Sequence, residues 1–493
     1  MGRTLRVDFF GRKTMTRRGF LDEAFFAAAI ASLTASGAFA AEPAPVRSKR
    51  RFGAADKVRM AVIGVHGRGM AHVEGYLGLA DAEVVAICDV DLSSAEKAAA
   101  AVEKKTGKKP KIYQDLRKVF EDKDIDAVSC ALPIHWHSLA ASWAMQAGKD
   151  VYVEKPCSHN VSEGRQLVKM QERTGRICQV GTQSRSAKAV QGGIKFLHEG
   201  KLGKVTLARG LCYKPRKSIG IKPDGPVPSG VDYDIWLGPA PKRPFNPNRF
   251  HYEWHWNYDY GAGDLGNQGI HQMDIARWAL DKHELPRGVE SIGCRLGYVD
   301  QANTPNTVVS TYDYGDKQLI FEVRGLPTEG LMGASIGDIV YGENGYVVFT
   351  ASYGKAAAFD KEGKPLETFS GGGDHFAAFI RAVKSRKQSD LAAPVLEGHL
   401  SSALCHLGNV SYRLGTEGGP AKSNFANKPF GEAYSRMIAH LTANNALTPD
   451  AKLRFGASLT LDPKRERFIG TGDKEANLLL TREYRKGFEL PKV

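Results

Sequence analysis

From Lys57 onward, short apolar runs alternate with longer stretches of helical periodicity. "VRMAVIG" reads as a strand, "MAHVEGYLGLA" as a helix and "EVVAICDVD" as a second strand. "SSAEKAAAAVEKKTG" follows as a helix that Ser93 or Ser94 would cap. A short helix around 116–120 precedes the strand "DAVSCAL", the helix "SLAASWAMQAG" and the strand "DVYVE". A helix near 162–174 then leads to the strand "RICQVG". Continuous apolar strands alternating with helices predict an α/β domain, a doubly wound parallel sheet covered on both faces. After Gly203 the pattern changes. "KVTLARGLCYK" reads as one long strand, and 215–257 is rich in loops and prolines. The later runs "TVVSTYDYG", "QLIFEVRG", "GDIVYGENGYVVFT" and "KAAAFDKEGK", separated by turn signals, predict a large, mostly antiparallel sheet in a second, α+β domain.

The N-terminus follows neither pattern. "TRRGFL", with Arg17 and Arg18, precedes the alanine-rich "AFFAAAIASLTASGAFA", and Ala38-Phe39-Ala40 offers a cleavage site. The paired arginines resemble a twin-arginine export signal, which carries folded proteins out of the bacterial cytoplasm. The expected organisation is a signal peptide at 1–40, a linker at 41–56, a dinucleotide-binding domain at 57–182, a substrate and oligomerisation domain at 183–414 and a C-terminal extension at 415–493. The extension is expected to wrap over its own or a neighbouring subunit.

At 493 residues the chain is long enough for two domains, and 42% hydrophobic with 25% charged residues describes an ordinary globular protein. The formal charge of +14 is partly carried by the first 40 residues, and the remaining basic residues are scattered apart from "RSKRR" at 47–51. No basic helical stripe with interleaved aromatics occurs, so no nucleic-acid partner is expected. No later segment holds 18 uncharged apolar residues, so no membrane contact beyond the export signal is expected. The seven cysteines are odd in number and lack C-x-x-C spacing, so neither a disulfide framework nor a zinc site is expected from them. Three of them, Cys88, Cys130 and Cys178, lie in apolar strand-like runs, where cysteine serves as a small hydrophobe.

Chemistry gathers where the first domain's strands end. "IGVHGRGMA" joins the first strand to the first helix. A phosphate-binding turn of the form G-x-G-x-x-G would have Gly64 and Gly69 in its first and third places, His66 in the second and Gly67 one step later. Asp89, at the end of the second strand, is placed to bind an adenosine ribose and to repel a 2′-phosphate, so NAD is expected over NADP. "VYVEKPCSHN" ends a strand in Glu154, Lys155 and Pro156.

The glycine turn, "CDVD", "PIHWHSLAASWAMQAGKDVYVEKP" and "QVGTQSR" in this order resemble the Gfo/Idh/MocA family over 57–414. The resemblance implies a Rossmann domain followed by an open, mostly antiparallel domain. It implies that Lys155 is the catalytic lysine beside a nicotinamide and that the Lys155–Pro156 bond is cis. It also implies cofactor contacts from Gly64, His66, Gly67, Arg68, Gly69, Asp89, Pro133, His135, His137, Glu154, Lys155 and Gln183. Sheets of this kind pair face to face, so a homodimer or homotetramer is expected.

"YGAGDLGNQGIHQMDIARWAL" carries the second constellation. Asn267, His271 and Asp274 are spaced to share one helix face. The resemblance places the active-site histidine at His271, with Asn267 where relatives often carry Asp. Tyr260 or Asn267 is expected to orient substrate hydroxyls. The alternating aromatics Tyr252, Trp254, Trp256, Tyr258 and Tyr260 read either as an edge strand or packing loop, or as a sugar-stacking wall. His135 and His137 flank Trp136 without a third ligand at a familiar spacing, so no metal is expected. Gln183 and Arg185 would either face the pocket or cap a helix. The function expected first is NAD-dependent hydride transfer on a sugar or cyclitol carbinol. The alternative is a redox-neutral NAD-dependent glycosidase or lyase, resembling α-N-acetylgalactosaminidases, and a non-catalytic sugar-binding protein ranks last.

Overall fold

A computed structural model of the chain describes residues 52–420 and 425–493. The twin-arginine segment, the cleavage site and the basic linker lie outside the described residues. No helix among the described residues is long and apolar enough to cross a membrane.

Six strands form the first sheet: β1 (Val58–Ile63), β2 (Ala82–Cys88), β3 (Lys111–Tyr113), β4 (Ala127–Cys130), β5 (Asp150–Val153) and β6 (Cys178–Val180). All pair in parallel, in the order β3-β2-β1-β4-β5-β6. This is the doubly wound dinucleotide-binding order, whose ligand crevice lies at the strands' C-terminal ends where the order reverses between β1 and β4. β4 and β5 are buried along their whole length, which explains why their sequences run continuously apolar. The helix Leu92–Thr106 is capped by Asp91, whose side chain accepts from the Ser93 N–H, and not by Ser93 or Ser94. The second aspartate of "CDVD" thus starts the helix two or three residues earlier than the serines would. The three-residue β3 lies in a stretch too short for a visible apolar period.

The second sheet contains β7 (Val205–Tyr213), β8 (Gly288–Cys294), β9 (Thr307–Asp313), β10 (Gln318–Arg324), β11 (Ile336–Gly342), β12 (Gly345–Thr350), β13 (Lys355–Asp360) and β14 (Pro365–Ser370). Its order is β14-β13-β12-β11-β7-β10-β9-β8, antiparallel except for the β7–β10 pair. The helices Lys188–His198, Gly269–Ala279 and Val395–Arg413 share one large core with it. Chain order and spatial domain do not coincide throughout. The helix His375–Ser385 buries Phe376, Phe379 and Ile380 in the core around β1 and β2, far from its sequence neighbours.

The C-terminal stretch is built into the fold. β15 (Thr416–Gly418) and β16 (Leu453–Phe455) extend the second sheet beyond β8, while β17 (Leu459–Asp462) pairs with β8 and β18 (Arg467–Ile469). At the turn of this hairpin, and again beyond it, the chain reaches back to the first domain. Glu466 accepts hydrogen bonds from Arg165 at 2.5 Å and His399 at 3.0 Å. Tyr484 donates to Glu163 at 3.1 Å, and Phe488 packs edge-on against Trp136 with centroids 5.6 Å apart. All seven cysteines are buried and free, consistent with a packing role.

Because Phe488 is 7% exposed and fills a Trp136–Trp143 niche, Phe488→Ala is expected to cost about 3 kcal/mol of stability. Denaturant unfolding checks this; an unchanged midpoint would show that the C-terminal strap is an ornament.

Candidate active site

The strand ends of the first sheet and the start of the helix Gly269–Ala279 border one cleft of about 360 Å³. Gly64, His66, Gly67, Arg68, Asp89, Pro133, His137, Glu154, Lys155, Gln183, Asn267 and His271 line it. Gly69, His135 and Tyr260 do not.

At the bottom lies a buried carboxylate. Glu154 Oε1 accepts from Arg68 Nε at 2.9 Å and His72 Nε2 at 3.1 Å, while Oε2 accepts from the Lys155 N–H at 3.1 Å. His72 is fully buried, and its tautomer follows from its partners. The Tyr76 hydroxyl donates to Ser129 Oγ (3.2 Å), Ser129 donates to His72 Nδ1 (2.8 Å), and His72 Nε2–H points at Glu154. Burial alone would raise the Glu154 pKa, but His72, Arg68 and Lys155 hold it well below the ordinary value. Gly181 is required beside it, since a Cβ there would sit 3.0 Å from the carboxylate atoms.

Lys155 follows directly, with the Lys155–Pro156 peptide bond cis. Its Nζ donates to the backbone carbonyl of Asn267 at 2.8 Å. Burial lowers the ammonium's pKa against the opposing pull of Glu154, with Arg68 and Lys214 adding to the lowering. Across the cleft, His271 is 6% exposed and its Nδ1 is buried without a partner. Burial, reinforced by Lys155, drives its pKa well below the ordinary 6.5, so the imidazole is neutral.

The expected shared face of Asn267, His271 and Asp274 is not formed. Asn267 ends a preceding short helix, Gly263–Gly266, and presents its carbonyl to Lys155, while its amide donates to Tyr252 Oη at 3.3 Å. Asp274 turns away into a buried pairing with Arg185, at 2.7 and 2.9 Å, and accepts from Ser401 at 2.6 Å. Arg185 therefore anchors the helix carrying His271 and does not face the pocket. Gln183 does, accepting from Arg68 at 2.8 Å.

Three further expectations are corrected. Tyr260 is fully buried and packs on Trp236, with centroids 4.9 Å apart, because the aromatic stretch folds inward. His135 lies behind the cleft and donates through Nε2 to the Trp236 carbonyl at 2.9 Å. Burial takes its pKa down to about 3. Gly69 serves packing: a Cβ there would lie 1.7 Å from the Gly64 carbonyl, so only glycine lets the helix Arg68–Leu77 meet the turn.

The aromatic stretch is a turn of 3₁₀-helix at Glu253–Trp256, which brings Tyr252 and Trp254 to the cleft. Trp256 and Tyr258 are tied elsewhere, to Glu253 at 3.0 Å and Asn409 at 3.1 Å. Sequence reasoning missed His72, His255 and the Arg216–Asp264 pair. Arg216 grips Asp264 at 2.6 and 2.9 Å and donates to Tyr252 Oη at 3.1 Å. His255 stacks on Trp254 with centroids 3.6 Å apart. Only His255 had a signal in the sequence, the density of histidines and aromatics between 251 and 260.

The cleft fits a dinucleotide. Gly64 adopts φ +82°, and a Cβ there would lie 2.6 Å from the Ala131 carbonyl. Gly67 begins the ten-residue helix without a side-chain cap, and a Cβ on it would meet no atom within 4 Å. Free N–H groups at an uncapped helix start beside open space suit a diphosphate. Asp89 is buried and held by the N–H groups of Val65 at 2.7 Å and Asp91 at 3.0 Å.

This fold and cleft define a two-domain protein built on a Rossmann dinucleotide-binding domain. Residues 58–182 match the oxidoreductase family's NAD-binding Rossmann fold, and 218–442 match its C-terminal alpha/beta domain. The chain belongs to the Gfo/Idh/MocA family. It is similar to a glycosyl hydrolase family 109 protein of Shewanella sp. (strain W3-18-1), 37% identical over 127 residues, or 25% of this chain and 28% of the relative. A protein of the same description from Shewanella baltica (strain OS185) is 35% identical over 175 residues, covering 33% and 38%. The matches thus span between 28% and 38% of these two curated relatives' length. Among solved structures, the WlbA dehydrogenase from Bordetella pertussis, in complex with NADH and UDP-GlcNAcA, superposes with TM-score 0.51 at 20% identity, covering 71% of this chain and 94% of that one. An oxidoreductase domain protein from Kribbella flavida gives 0.53 at 16%, covering 72% and 96%. At these identities the likeness is one of fold.

Gly67→Val is expected to fold, since no protein atom opposes the side chain, with a stability change within about 1 kcal/mol. It should nevertheless lose NAD binding, measured by calorimetry. Undiminished affinity would move the dinucleotide away from this turn.

Proposed function

We propose that the protein is an exported enzyme that transfers hydride between a sugar or cyclitol carbinol and a tightly held NAD. The observation that carries this reading is the convergence of an amine and a neutral imidazole, Lys155 and His271, on the cleft that also holds the glycine turn and Asp89. A bound nicotinamide would supply a hydride acceptor. The chain's own residues must then manage the hydroxyl proton and orient the sugar. His271, neutral and with a free buried nitrogen, is the base for that proton. Lys155, fixed by the Asn267 carbonyl, stabilises the developing alkoxide. Trp254 and Tyr252 provide apolar faces for a pyranose ring, and Asp89 selects NAD through its ribose hydroxyl.

A second reading is redox-neutral glycoside cleavage, in which oxidation of one carbon is transient. It is favoured by the description of the relatives as glycosyl hydrolase family 109 proteins. Its extra proton transfers would also use a group that simple oxidation leaves idle, His255.

Lys155→Ala and His271→Ala should fold and retain NAD yet lose turnover, by roughly a hundred- to ten-thousand-fold where a positioned base is removed. Wild type is incubated with aryl glycosides and with free sugars, without an added acceptor. Bound reduced cofactor that forms once, and recycles only when a keto acceptor is added, supports the oxidoreductase. Repeated aglycone release without net reduction supports the glycosidase, and full activity in either variant removes this pair from the chemistry.

Export with the cofactor already bound belongs to the same reading, because free NAD is scarce outside the inner membrane. Replacing Arg17 and Arg18 by lysine should trap precursor in the cytoplasm. Unimpaired export of that variant would contradict the route.

A further inference from the structure

Where the glycine turn would carry a second glycine, the chain has His66, and that imidazole is not alone. His251, from the loop that follows the second domain's first strand, stacks on it with ring centroids 3.7 Å apart and planes 20° from parallel. Asp91, which caps the helix Leu92–Thr106, directs Oδ2 toward His251 Nε2 at 4.0 Å. One donor atom from each of the three lies within 4.8 Å of the others. Among the described residues they are the one such group of metal-competent side chains.

Two features distinguish this cluster from a chance meeting. Ser94 Oγ lies 3.3 Å from His66 Nδ1 and donates to Asp91 Oδ2 at 3.1 Å. With that hydroxyl proton on Asp91, His66 Nδ1–H is the donor to Ser94, and the lone pair of Nε2 is left free. An outer hydrogen bond that fixes the tautomer is the usual support of a metal-binding histidine. The second feature is His251 itself, which adopts φ +47° although it carries a side chain. A non-glycine residue in that region is uncommon and persists where its surroundings demand it.

We propose that His66, Asp91 and His251 form a transition-metal site, with zinc as its natural occupant, that clasps the two domains across the mouth of the cofactor cleft. Two imidazoles and one carboxylate suit zinc, with a fourth position left to water. The imidazole majority disfavours magnesium and calcium, which prefer all-oxygen shells. Zinc bonds of about 2.0–2.2 Å in tetrahedral array put ligand atoms about 3.4 Å apart, so donors up to 4.8 Å apart must close by as much as about 1.4 Å. The two imidazoles, one exposed and one half-buried, would have to turn out of their stack to bring both lone pairs onto one ion. Both histidines line the cleft at its Asp89 end, so the bound ion would stand over the adenosine half of the dinucleotide and slow its escape.

The test uses the full chain, freed of metal by chelator dialysis and titrated with Co²⁺, whose visible absorption reports imidazole and carboxylate ligation. One equivalent should bind and be displaced by Zn²⁺. His251→Ala and, separately, His66→Ala should each weaken binding more than about tenfold, since loss of even a supporting partner costs ten- to hundred-fold. Zinc should also slow NAD release from the wild type but not from His251→Ala. Circular dichroism verifies that each variant folds, and His66→Ala, at an exposed turn position, carries the test if His251→Ala does not. No saturable Co²⁺ spectrum, or equal affinity in wild type and the folded variants, overturns the site. This readout is independent of turnover: an inactive enzyme that binds Co²⁺ keeps the clasp, and an active one that does not keeps the hydride chemistry.

Discussion

The site depends on a single buried charge. Glu154 lies at the end of β5 with 4% of its surface exposed, where an unpaired carboxylate would cost several kcal/mol. Arg68, His72 and the Lys155 N–H satisfy it, two of them from the helix after the glycine turn and one from the end of β5. Arg68 opens the helix after the glycine turn, His72 lies one turn further along it, and Lys155 carries the amine assigned to the proposed chemistry. One carboxylate therefore fixes the phosphate-facing helix, the strand end and the lysine against one another. It also moderates the fall in the Lys155 pKa that burial imposes.

The second domain answers from the other side. Asn267 gives the Lys155 ammonium a backbone carbonyl as acceptor, and the following helix brings His271 to the cleft. That helix is held from behind by Arg185 and Arg277, whose guanidinium groups converge on Glu397 at 3.0 and 2.6 Å, with Asp274 between them. Arg185 comes from the end of the first sheet, so the same ion cluster ties the two domains together behind His271. The C-terminal strap, through Glu466 and Phe488, adds a second tie on the outer face.

Much of this was legible in the sequence, for identifiable reasons. Continuous apolar runs such as "DAVSCAL" and "DVYVE" have one stable use, as buried parallel strands, and alternating runs such as "QLIFEVRG" report a half-covered sheet. The strand-end positions of Gly64, Asp89, Glu154 and Lys155 followed from those runs. What was hidden depends on long-range folding. Tyr260 and His135 look functional by type, yet inward folding of the aromatic loop buries both. The helical spacing of Asn267, His271 and Asp274 promised a common face, but the helix breaks at Asn267 and its carbonyl does the work that its side chain was expected to do. His72 carries no local signal, since only the crossing of the first helix over β4 and β5 brings it to Glu154.

The central claim is that Lys155 is desolvated and that Glu154 sustains its charge. The direct measurement is the Lys155 pKa by NMR of selectively labelled protein, in wild type and in Glu154→Gln. The account predicts a value below the ordinary 10.5 in the wild type and a further fall when the carboxylate is neutralised. An ordinary value, unmoved by the substitution, would contradict it.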